Sequence, residues 1–382
     1  MNEPAAMQRA LELAWRGWGR VHPNPMVGAV VLQGHEPVGE GWHAEFGGPH
    51  AEAAALDAAA GRAAGGTLVV TLEPCAHAGK QPPCVEAILR AGVRRVVIAA
   101  SDPNPVAAGG AARLRAAGVD VEIGVLGDRA AAQNAAFLHA LAEPARPFVA
   151  LKLATSIDFR IADAAGQSRW VSGPDAREYV HWLRAGFDAI AVGLGTARAD
   201  DPRLTVRAAP GAAPGVASSG SPDAGVRRGI LPRVPPRRIV FDRALELPLD
   251  RNLVRTARDT PTTIVAEPGA PVARERALDA LGVRVLRAAN AAAALRALRA
   301  DGIASLLVEG GGHLAGALLA ADLVDRFVWI QSPIWLGAHG VAAVHGLPDA
   351  SISHAERWRS VERRALGDDT LLVLDRKPCS PA

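Results

Sequence analysis

A histidine, a glutamate and two cysteines in the first part of the chain have the types and order of a catalytic metal site. His50 and Glu52 are separated by one alanine, Cys75 ends the run Thr-Leu-Glu-Pro-Cys, and Cys84 follows Pro-Pro. Imidazole and thiolate are ligands that zinc prefers, and a catalytic zinc site keeps its fourth position for water. A glutamate that is not a ligand can carry protons from that water to a departing amine. These residues therefore indicate a zinc-dependent deaminase.

The two cysteines stand farther apart than the two-residue interval usual in such deaminases. Ala-His-Ala-Gly-Lys-Gln-Pro-Pro separates them, and a loop of this length can still close on one metal. Free cysteines are more often small buried hydrophobes, but here both ligand groups lie at predicted element ends. Cys75 follows a strand predicted over Thr67–Leu72, and His50 precedes a helix predicted over Ala51–Ala60. A purely structural metal site is the other alternative, because His77 could supply a fourth ligand.

The composition is that of a globular protein with an ample core. The chain has 382 residues, 49% of them hydrophobic, and a formal net charge of +3. This length accommodates two or three domains. The arginines form no basic stripe of the kind that indicates nucleic acid, no apolar run is long enough to cross a bilayer, and the first residues lack the apolar core of a signal peptide. Two of the three cysteines are assigned to the metal, so a disulfide framework is excluded and a cytoplasmic location is expected.

Helical and strand patterns alternate along the chain, which predicts α/β domains, the first with a mixed sheet and helices on both of its faces. The segment 144–147, Pro-Ala-Arg-Pro, is a predicted hinge between a first domain, 1–146, and a second, 147–378. The segment 208–236 is rich in Gly, Pro, Ala and Ser and is predicted to be a flexible surface insertion. Strands are predicted over Val27–Leu32, Val38–His43, Thr67–Leu72, Arg95–Ala100, Asp120–Gly124, Phe148–Leu153, Ala189–Val192, Arg238–Phe241, Thr262–Ala266, Val283–Leu286 and Ser305–Glu309. Helices are predicted over Ala5–Arg16, Ala51–Ala60, Cys84–Ala91, Ala111–Ala117, Ala130–Leu141 and Asp175–Ala185.

Motifs along nearly the whole chain resemble those of one enzyme family. In the first half they are His22-Pro-Asn-Pro-Met-Val-Gly28, Gly41-Trp-His43, Gly48-Pro-His-Ala-Glu52, Thr71-Leu-Glu-Pro-Cys75, Pro82-Pro-Cys84 and Asp102-Pro-Asn-Pro105. In the second half they are Leu151-Lys-Leu-Ala-Thr-Ser-Ile-Asp158, Ala199-Asp-Asp-Pro-Arg-Leu-Thr-Val-Arg207 and Val308-Glu-Gly-Gly-Gly312. By these motifs the chain is similar to the bifunctional deaminase–reductases of riboflavin biosynthesis.

The resemblance implies a cytidine-deaminase-like α/β/α domain followed by a dihydrofolate-reductase-like α/β domain. The first, with one Zn²⁺, would hydrolyse the exocyclic amine of 2,5-diamino-6-ribosylamino-4(3H)-pyrimidinone 5′-phosphate. The second would reduce the ribosyl group to ribityl with NADPH. Members of the family form homo-oligomers mainly through the reductase domain, so a homo-oligomer is expected here, with a small-molecule substrate and no nucleic-acid or membrane partner.

In the first domain, His50, Cys75 and Cys84 are assigned as zinc ligands and Glu52 as the catalytic base and acid. The candidate substrate contacts are Asn24, His43 and His77. Asn24 offers a donor and an acceptor to a pyrimidine edge, although it could equally cap its own turn. His77 could equally form a hydrogen bond within the loop between the cysteines. Lys80, in the same loop, could meet the substrate phosphate, although a solvated lysine is the commoner case.

In the second domain, an apolar strand runs into Gly310, Gly311 and Gly312 and then into a helix. Backbone amides at such a helix start form an anion site suited to a pyrophosphate. The resemblance implies further cofactor contacts at Ala154, Trp170, Thr196 and Asp200, and substrate contacts at Ser168, Arg184, Leu204, Arg207 and Glu309. Guanidinium groups bind phosphate oxygens in pairs, which suits Arg184 and Arg207. An ordinary exposed helix residue is the alternative for Arg184, and Lys152 and Asp158 are further candidates near the expected cleft.

Several positions depart from the family pattern, and none of them belongs to the predicted metal site. Phe159 stands where a glycine usually follows Ser-x-Asp, Ile334 replaces a frequent lysine, and the segment 106–110 lacks its usual basic residue. Arg243 replaces a serine that often meets the cofactor, and it could pair with a 2′-phosphate instead. The departures leave one alternative open: a working deaminase whose reductase-like domain is inactive and serves oligomerisation. A deaminase acting on tRNA or free cytosine is disfavoured by the long cysteine interval and by the whole second half.

Overall fold

The computed structural model describes residues 1–77, 81–207, 231–353, 355 and 357–376. These residues form two compact units, one of 1–142 with 231–234 and one of 143–207 with the chain from Pro235 onward. Of the predicted insertion, 208–230 lie outside the described residues, as do Lys80 and Cys379. The described end of that insertion belongs to the first unit: the main-chain N–H of Arg233 donates to the Gly19 carbonyl at 2.9 Å. The predicted boundaries assigned it to the second domain.

The first unit is a five-stranded sheet with helices on both faces. Its strands are β1 (Gly28–Gln33), β2 (Glu36–Trp42), β3 (Thr67–Leu72), β4 (Arg95–Ala100) and β5 (Asp120–Ile123). Its helices are α1 (Glu3–Ala14), α2 (Ala51–Ala58), α3 (Cys84–Arg90), α4 (Gly110–Ala116), α5 (Gly127–Gln133) and α6 (Ala135–Ala142), with a 3-10 turn at Trp15–Gly17. The strand order is β2-β1-β3-β4-β5; β1 runs antiparallel to β2 and β3, and β3, β4 and β5 are parallel.

Alternate residues of these strands enter two separate cores, which is why both faces carry helices. Val31 and Val70 pack with α2 and α3, whereas Val30 and Val69 pack with α1. The close approach of α2 requires glycine in β2, because a Cβ at Gly41 would lie 2.3 Å from the main-chain nitrogen of Ala55. This contact sets the position of the helix that carries His50 and Glu52.

The helix predicted over Ala130–Leu141 is wrong, because two helices, α5 and α6, meet there at Asn134. The Asn134 backbone leaves the helical region, with φ −101° and ψ 22°. Its side chain is buried and hydrogen-bonded to Met26 rather than lying on a continuous helix surface. An asparagine whose amide finds a tertiary partner competes with helix continuation.

The second unit is built on a nine-stranded sheet whose described order is β11-β10-β9-β8-β12-β6-β13-β16-β15. Its strands are β6 (Phe148–Thr155), β7 (Arg160–Ala162), β8 (Ala189–Gly193), β9 (Arg237–Phe241), β10 (Thr262–Ala266), β11 (Arg284–Arg287), β12 (Ser305–Glu309), β13 (Arg326–Gln331), β14 (Val341–Ala342), β15 (Arg359–Leu366) and β16 (Asp369–Asp375). Its helices are α7 (Pro174–Ala185), α8 (Leu194–Asp200), α9 (Asn252–Arg255), α10 (Val272–Ala280), α11 (Ala291–Ala300) and α12 (Gly312–Ala320).

From β11 to β13 the neighbouring strands are parallel, and β16 and β15 continue the sheet antiparallel. Ligands of such sheets bind outside the carboxyl ends of the parallel strands, so this edge is where a cofactor cleft is expected. The predicted α/β fold class is confirmed for both units. No helix among the described residues is long and apolar enough to span a membrane.

Candidate metal and cofactor sites

The three predicted metal ligands converge although they come from different elements. His50 is the N-cap residue of α2, Cys75 follows β3, and Cys84 is the first residue of α3. The Nδ1 atom of His50 lies 3.2 Å from the Sγ of Cys84 and 3.6 Å from the Sγ of Cys75, and the three ligand atoms lie within 4.8 Å of one another. Tetrahedral zinc holds a nitrogen and a sulfur ligand about 3.5 Å apart. The donor set and its spacing therefore fit one zinc ion with three protein ligands.

The surroundings of Cys75 favour its thiolate. Hydrogen bonds from Cys84 and His50 lower the pKa of Cys75 to about 4. One of these comes from the main-chain N–H of Cys84, which donates to the Cys75 sulfur at 3.4 Å. Thiolate is the form that binds metal ions, so these surroundings suit Cys75 to metal ligation.

Glu52 lies beside the ligands without being one of them. It is the second residue of α2, only 4% exposed, and its carboxyl group interacts with the Cys84 thiol. Burial raises the pKa of Glu52, because a charged carboxylate is poorly solvated there. His50 precedes the helix with an extended backbone, ψ 159°. This is why His50 and Glu52 reach one site although residues two apart on a helix point to different sides.

Two candidate substrate residues meet at the edge of this site. The Nδ1 of His43 lies 2.9 Å from the Pro49 carbonyl oxygen, and its Nε2 lies 3.1 Å from the Asn24 Nδ2. His43 therefore donates to Pro49 and accepts from Asn24. Burial lowers the pKa of His43, which favours this neutral ring. The ring packs edge-to-face on that of His50, 5.5 Å between centroids.

His77 is not part of the ligand cluster. Its Nδ1 is buried without a hydrogen-bond partner, and the possible metal cluster in the described part of the chain contains only His50, Cys75 and Cys84. A structural zinc site normally has four protein ligands. The structural-site alternative required His77 as the fourth, and these residues do not support it.

Glu73 was not predicted as a site residue, yet it holds the segment that carries Cys75. Its carboxylate accepts hydrogen bonds of 2.9–3.2 Å from three main-chain N–H groups in the segment 102–111. That segment packs closely, because a Cβ at Gly110 would lie 1.8 Å from the Pro74 carbonyl oxygen. The available signal was an acidic residue at the end of a buried strand, where a carboxylate needs donors.

In the second unit, a cavity of about 750 Å³ opens at the carboxyl ends of β8, β9 and β10. Two predicted cofactor residues line one side of it, and a Cβ at Gly311 would lie 3.1 Å from the Oγ1 of Thr196. Arg243 and Glu267 also line the cavity, joined by a hydrogen bond of 3.0 Å. Its size lies within the range of small-molecule and cofactor sites.

The glycines between β12 and the middle of α12 differ in how closely the chain packs against them. A Cβ at Gly310 would meet only ordinary contacts at 3.7 Å, whereas one at Gly312 would lie 2.5 Å from the Ala342 carbonyl oxygen. One at Gly316 would lie 1.6 Å from the His345 carbonyl oxygen. The segment 342–345 therefore packs directly against α12. Gly312 has a packing role whether or not a cofactor is bound.

Arg184 and Glu309, both predicted substrate residues, form a buried ion pair. The Nε and Nη2 of Arg184 donate to the Glu309 carboxylate at 2.5 and 2.8 Å, and its Nη1 donates to the Thr205 carbonyl at 3.1 Å. Each charged side chain is 13% exposed. Burial alone would raise the pKa of Glu309, but the charge and hydrogen bonds of Arg184 lower it. Arg184 is thus not the exposed helix residue of the alternative, and its donors already face protein acceptors.

Lys152 and His181 complete a polar cluster around this pair. Lys152 on β6 is the register neighbour of Glu309 on β12, and burial lowers the pKa of Lys152. Burial and the positive charges of Arg184 and Arg207 lower the pKa of His181 to about 4. The Nδ1 of His181 accepts a hydrogen bond of 3.3 Å from the main-chain N–H of Arg207, whose side chain is exposed.

The remaining predicted residues of the second unit differ in exposure and in partners. Ser168 and Asp200 meet, with the Ser168 hydroxyl donating to the Asp200 carboxylate at 2.8 Å. Trp170 is 69% exposed and carries the Arg177 guanidinium 4.7 Å from its ring centroid. Ala154 is half-buried in β6, whereas Leu204 is 3% exposed within the apolar core. A ligand contact at Leu204 would therefore come from its main chain.

Two residues that depart from the family pattern, Phe159 and Ile334, lie in the loops after β6 and β13. Phe159 has φ +59°, in the left-handed region that favours glycine, and its ring packs on that of Trp329 at 5.5 Å. Ile334 accepts the Ile157 N–H through its main chain at 2.9 Å. The Asp158 carboxylate binds the Ser156 hydroxyl and the N–H groups of 336 and 337, which joins the two loops.

Together, the two units have the architecture of a zinc-dependent deaminase domain and of an α/β reductase domain. Residues 1–100 match the family described as the cytidine and deoxycytidylate deaminase zinc-binding region, and residues 147–372 match the RibD C-terminal domain. The riboflavin biosynthesis protein RibD of Escherichia coli K12 is 37% identical, covering 98% of this chain and 99% of its own, and that of Mycobacterium tuberculosis H37Rv is 39% identical, covering 97% and 96%.

Two solved structures match this chain over nearly its whole length. RibD of Acinetobacter baumannii, form 1, has a TM-score of 0.77 at 35% identity, covering 98% of this chain and 99% of its own. The diaminohydroxyphosphoribosylaminopyrimidine deaminase/5-amino-6-(5-phosphoribosylamino)uracil reductase of Thermotoga maritima has a TM-score of 0.77 at 31% identity, with the same coverage. The chain belongs to the RibD family of riboflavin biosynthesis proteins and is a bifunctional deaminase and reductase.

Proposed function

We propose that the first domain, 1–146, deaminates 2,5-diamino-6-ribosylamino-4(3H)-pyrimidinone 5′-phosphate, and that the second, 147–378, reduces the ribosyl group of the product to ribityl with NADPH. The observation that carries the first step is the convergence of His50, Cys75 and Cys84 beside the buried Glu52. A zinc ion on these three ligands would supply a water of lowered pKa. The reaction adds this water and releases ammonia.

Within that site, Glu52 moves the protons. Its carboxylate accepts a proton from the attacking water and returns one to the exocyclic nitrogen as it leaves. Asn24 and His43 orient the pyrimidine, since their hydrogen bond fixes the amide and the ring relative to His50.

The test of the deaminase is Glu52→Gln. We expect zinc content to stay at one per chain and ammonia release to fall by about 10²–10⁴, the usual contribution of a general acid and base. Glu36→Gln, at a glutamate whose side chain is 73% exposed, is the matched control and should retain full turnover. Loss of zinc from the Glu52 variant, or unchanged turnover, would contradict the assignment.

In the second domain, NADPH would occupy the cavity beside Thr196 and Gly311 and supply the hydride. Main-chain amides of 310–312 would meet the pyrophosphate, with Ala154, Trp170 and Asp200 as further cofactor contacts. Ser168 and the Glu309 carboxylate would face the substrate. Since the donors of Arg184 already face Glu309 and the Thr205 carbonyl, the exposed guanidinium of Arg207 would bind the phosphate. Leu204 would contact the substrate through its main chain.

A coupled assay on the full chain tests both steps. Supplied with the diamino substrate, the protein should release ammonia and then oxidise NADPH, the second signal depending on the first. Ammonia without NADPH oxidation would instead favour the alternative with an inactive second domain.

Arg207→Ala should raise the reductase KM about tenfold, since one charge-assisted contact to phosphate is lost. An unchanged KM would contradict the phosphate role of Arg207. We also propose a homo-oligomer, which light scattering on the purified protein would test.

A further inference from the structure

The loop that presents Asn24 is held by an asparagine far along the chain. Asn134, at the break between α5 and α6, is 5% exposed. Its Oδ1 accepts the main-chain N–H of Met26 at 2.8 Å, and its Nδ2 donates to the Met26 carbonyl at 2.9 Å. One side-chain amide thus pairs with both polar groups of one backbone residue, as a neighbouring β-strand would.

This pairing acts where the chain passes from the loop into the sheet. Met26 is buried and lies before the start of β1, two residues after Asn24. The next residue, Val27, accepts the main-chain N–H of His43 at 2.9 Å. The Asn24 amide and the His43 ring therefore meet across a short segment whose centre is clamped by Asn134. Without that clamp, a buried N–H and a buried carbonyl would lack partners.

We propose that Asn134 is a positioning residue for deamination: it fixes the distance between Asn24 and His43, and so the grip on the pyrimidine. The proposal rests on the substrate role proposed for Asn24 and His43. Asn134 lies beyond the 1–100 span matched by the deaminase family. Its side chain suits the task because an amide carries a donor and an acceptor side by side, whereas aspartate lacks the donor and leucine lacks both.

The variants Asn134→Asp and Asn134→Ser, in the full chain, test the proposal. Aspartate keeps the size and the acceptor but turns a carboxylate towards the Met26 carbonyl. Serine keeps one hydroxyl but shortens the side chain, so that it cannot pair with both the N–H and the carbonyl of Met26. We expect the deaminase KM to rise about tenfold in both, because a buried group loses its hydrogen-bond partner. Zinc should remain at one per chain. The reductase reaction, assayed on deaminated substrate in the same preparations, should keep its KM within about twofold, because the change is confined to the deaminase.

Gln133→Leu is the matched control. Gln133 is also a buried amide at the end of α5, but its Nε2 donates to the Leu11 carbonyl at 2.9 Å and not to the loop. It should lower thermal stability and leave the deaminase KM unchanged. The proposal is overturned if the Asn134 variants keep the wild-type KM, or if Gln133→Leu raises KM as much as they do. If one Asn134 variant does not fold, the other decides. A wild-type protein that releases no ammonia would instead contradict the proposed function.

Discussion

The Arg184–Glu309 pair allows a role of Glu309 in substrate binding to be separated from its contribution to stability. Glu309→Gln keeps the shape of the side chain but removes its charge, leaving Arg184 largely buried beside a neutral amide. Both side chains are 13% exposed and are joined by two hydrogen bonds. Removal of one partner from such a pair costs about 3–5 kcal/mol; with an amide oxygen still able to accept one bond, we expect the lower end, about 3 kcal/mol.

The matched control is Asp375→Asn. Asp375 on β16 accepts two hydrogen bonds from Arg326 on β13, at 2.6 and 2.9 Å, and these side chains are 10% and 14% exposed. Hydrogen exchange followed in urea, peptide by peptide, measures the free energy of unfolding around each ion pair. This free energy should fall by similar amounts in the two variants, whereas only Glu309→Gln should raise the reductase KM. Equal KM values in the two variants would refute the substrate role of Glu309, and a loss below about 1 kcal/mol in both would refute the energetic reasoning.

Three further changes follow from local geometry. The pKa of His181, lowered to about 4, lies below the value near 6.5 of an unfolded chain. The unfolded state therefore binds the proton more readily, and the free energy of unfolding should fall as the pH drops from about 6.5 towards 4. In urea titrations at several pH values, His181→Gln should reduce this dependence on pH. Phe159→Gly should be more stable than Phe159→Ala by about 1 kcal/mol, because alanine retains the left-handed backbone cost that glycine avoids; equal melting temperatures would contradict this. Arg243→Ala should narrow the preference for NADPH over NADH measured by binding of each cofactor, and an unchanged preference would remove the 2′-phosphate role.

The metal site was predictable because its parts are close in sequence and chemically distinctive. His50 and Cys84 are 34 positions apart, and each stands at the start of a helix. Arg184 and Glu309 are 125 positions apart, and neither residue type is specific to one chemistry. Their contact depends on the pairing of β12 with β6 and β8, which local patterns do not define. For the second unit, the family resemblance supplied the residues, and the sheet topology explains why they meet.

The break at Asn134 and three strands of the second unit were not predicted from the sequence, for different physical reasons. Asn134 lies in an alanine-rich run that favours one helix, and the break arises from a tertiary hydrogen bond to Met26. The strands β13, β15 and β16 were not predicted. The sequence of β16, Asp369–Asp375, is a short apolar run, and periodicity alone does not assign such a run to a strand. Arg359–Leu366 is rich in charge, as suits a strand at the edge of a sheet.

The departures from the family pattern bear on whether the second unit is a working reductase. Phe159 keeps the backbone conformation that a glycine would adopt and places its ring on Trp329, outside the Arg184–Glu309 pair. Ile334 acts through its main chain, and Arg243 adds a charge at the rim of the cavity, paired with Glu267. The two hydrogen bonds that Arg184 donates to the Glu309 carboxylate are present beside these departures. A buried charge pair is costly to desolvate, so it contributes little to the stability of the fold. Together with the cofactor-sized cavity in the same unit, the pair favours two active sites in this chain.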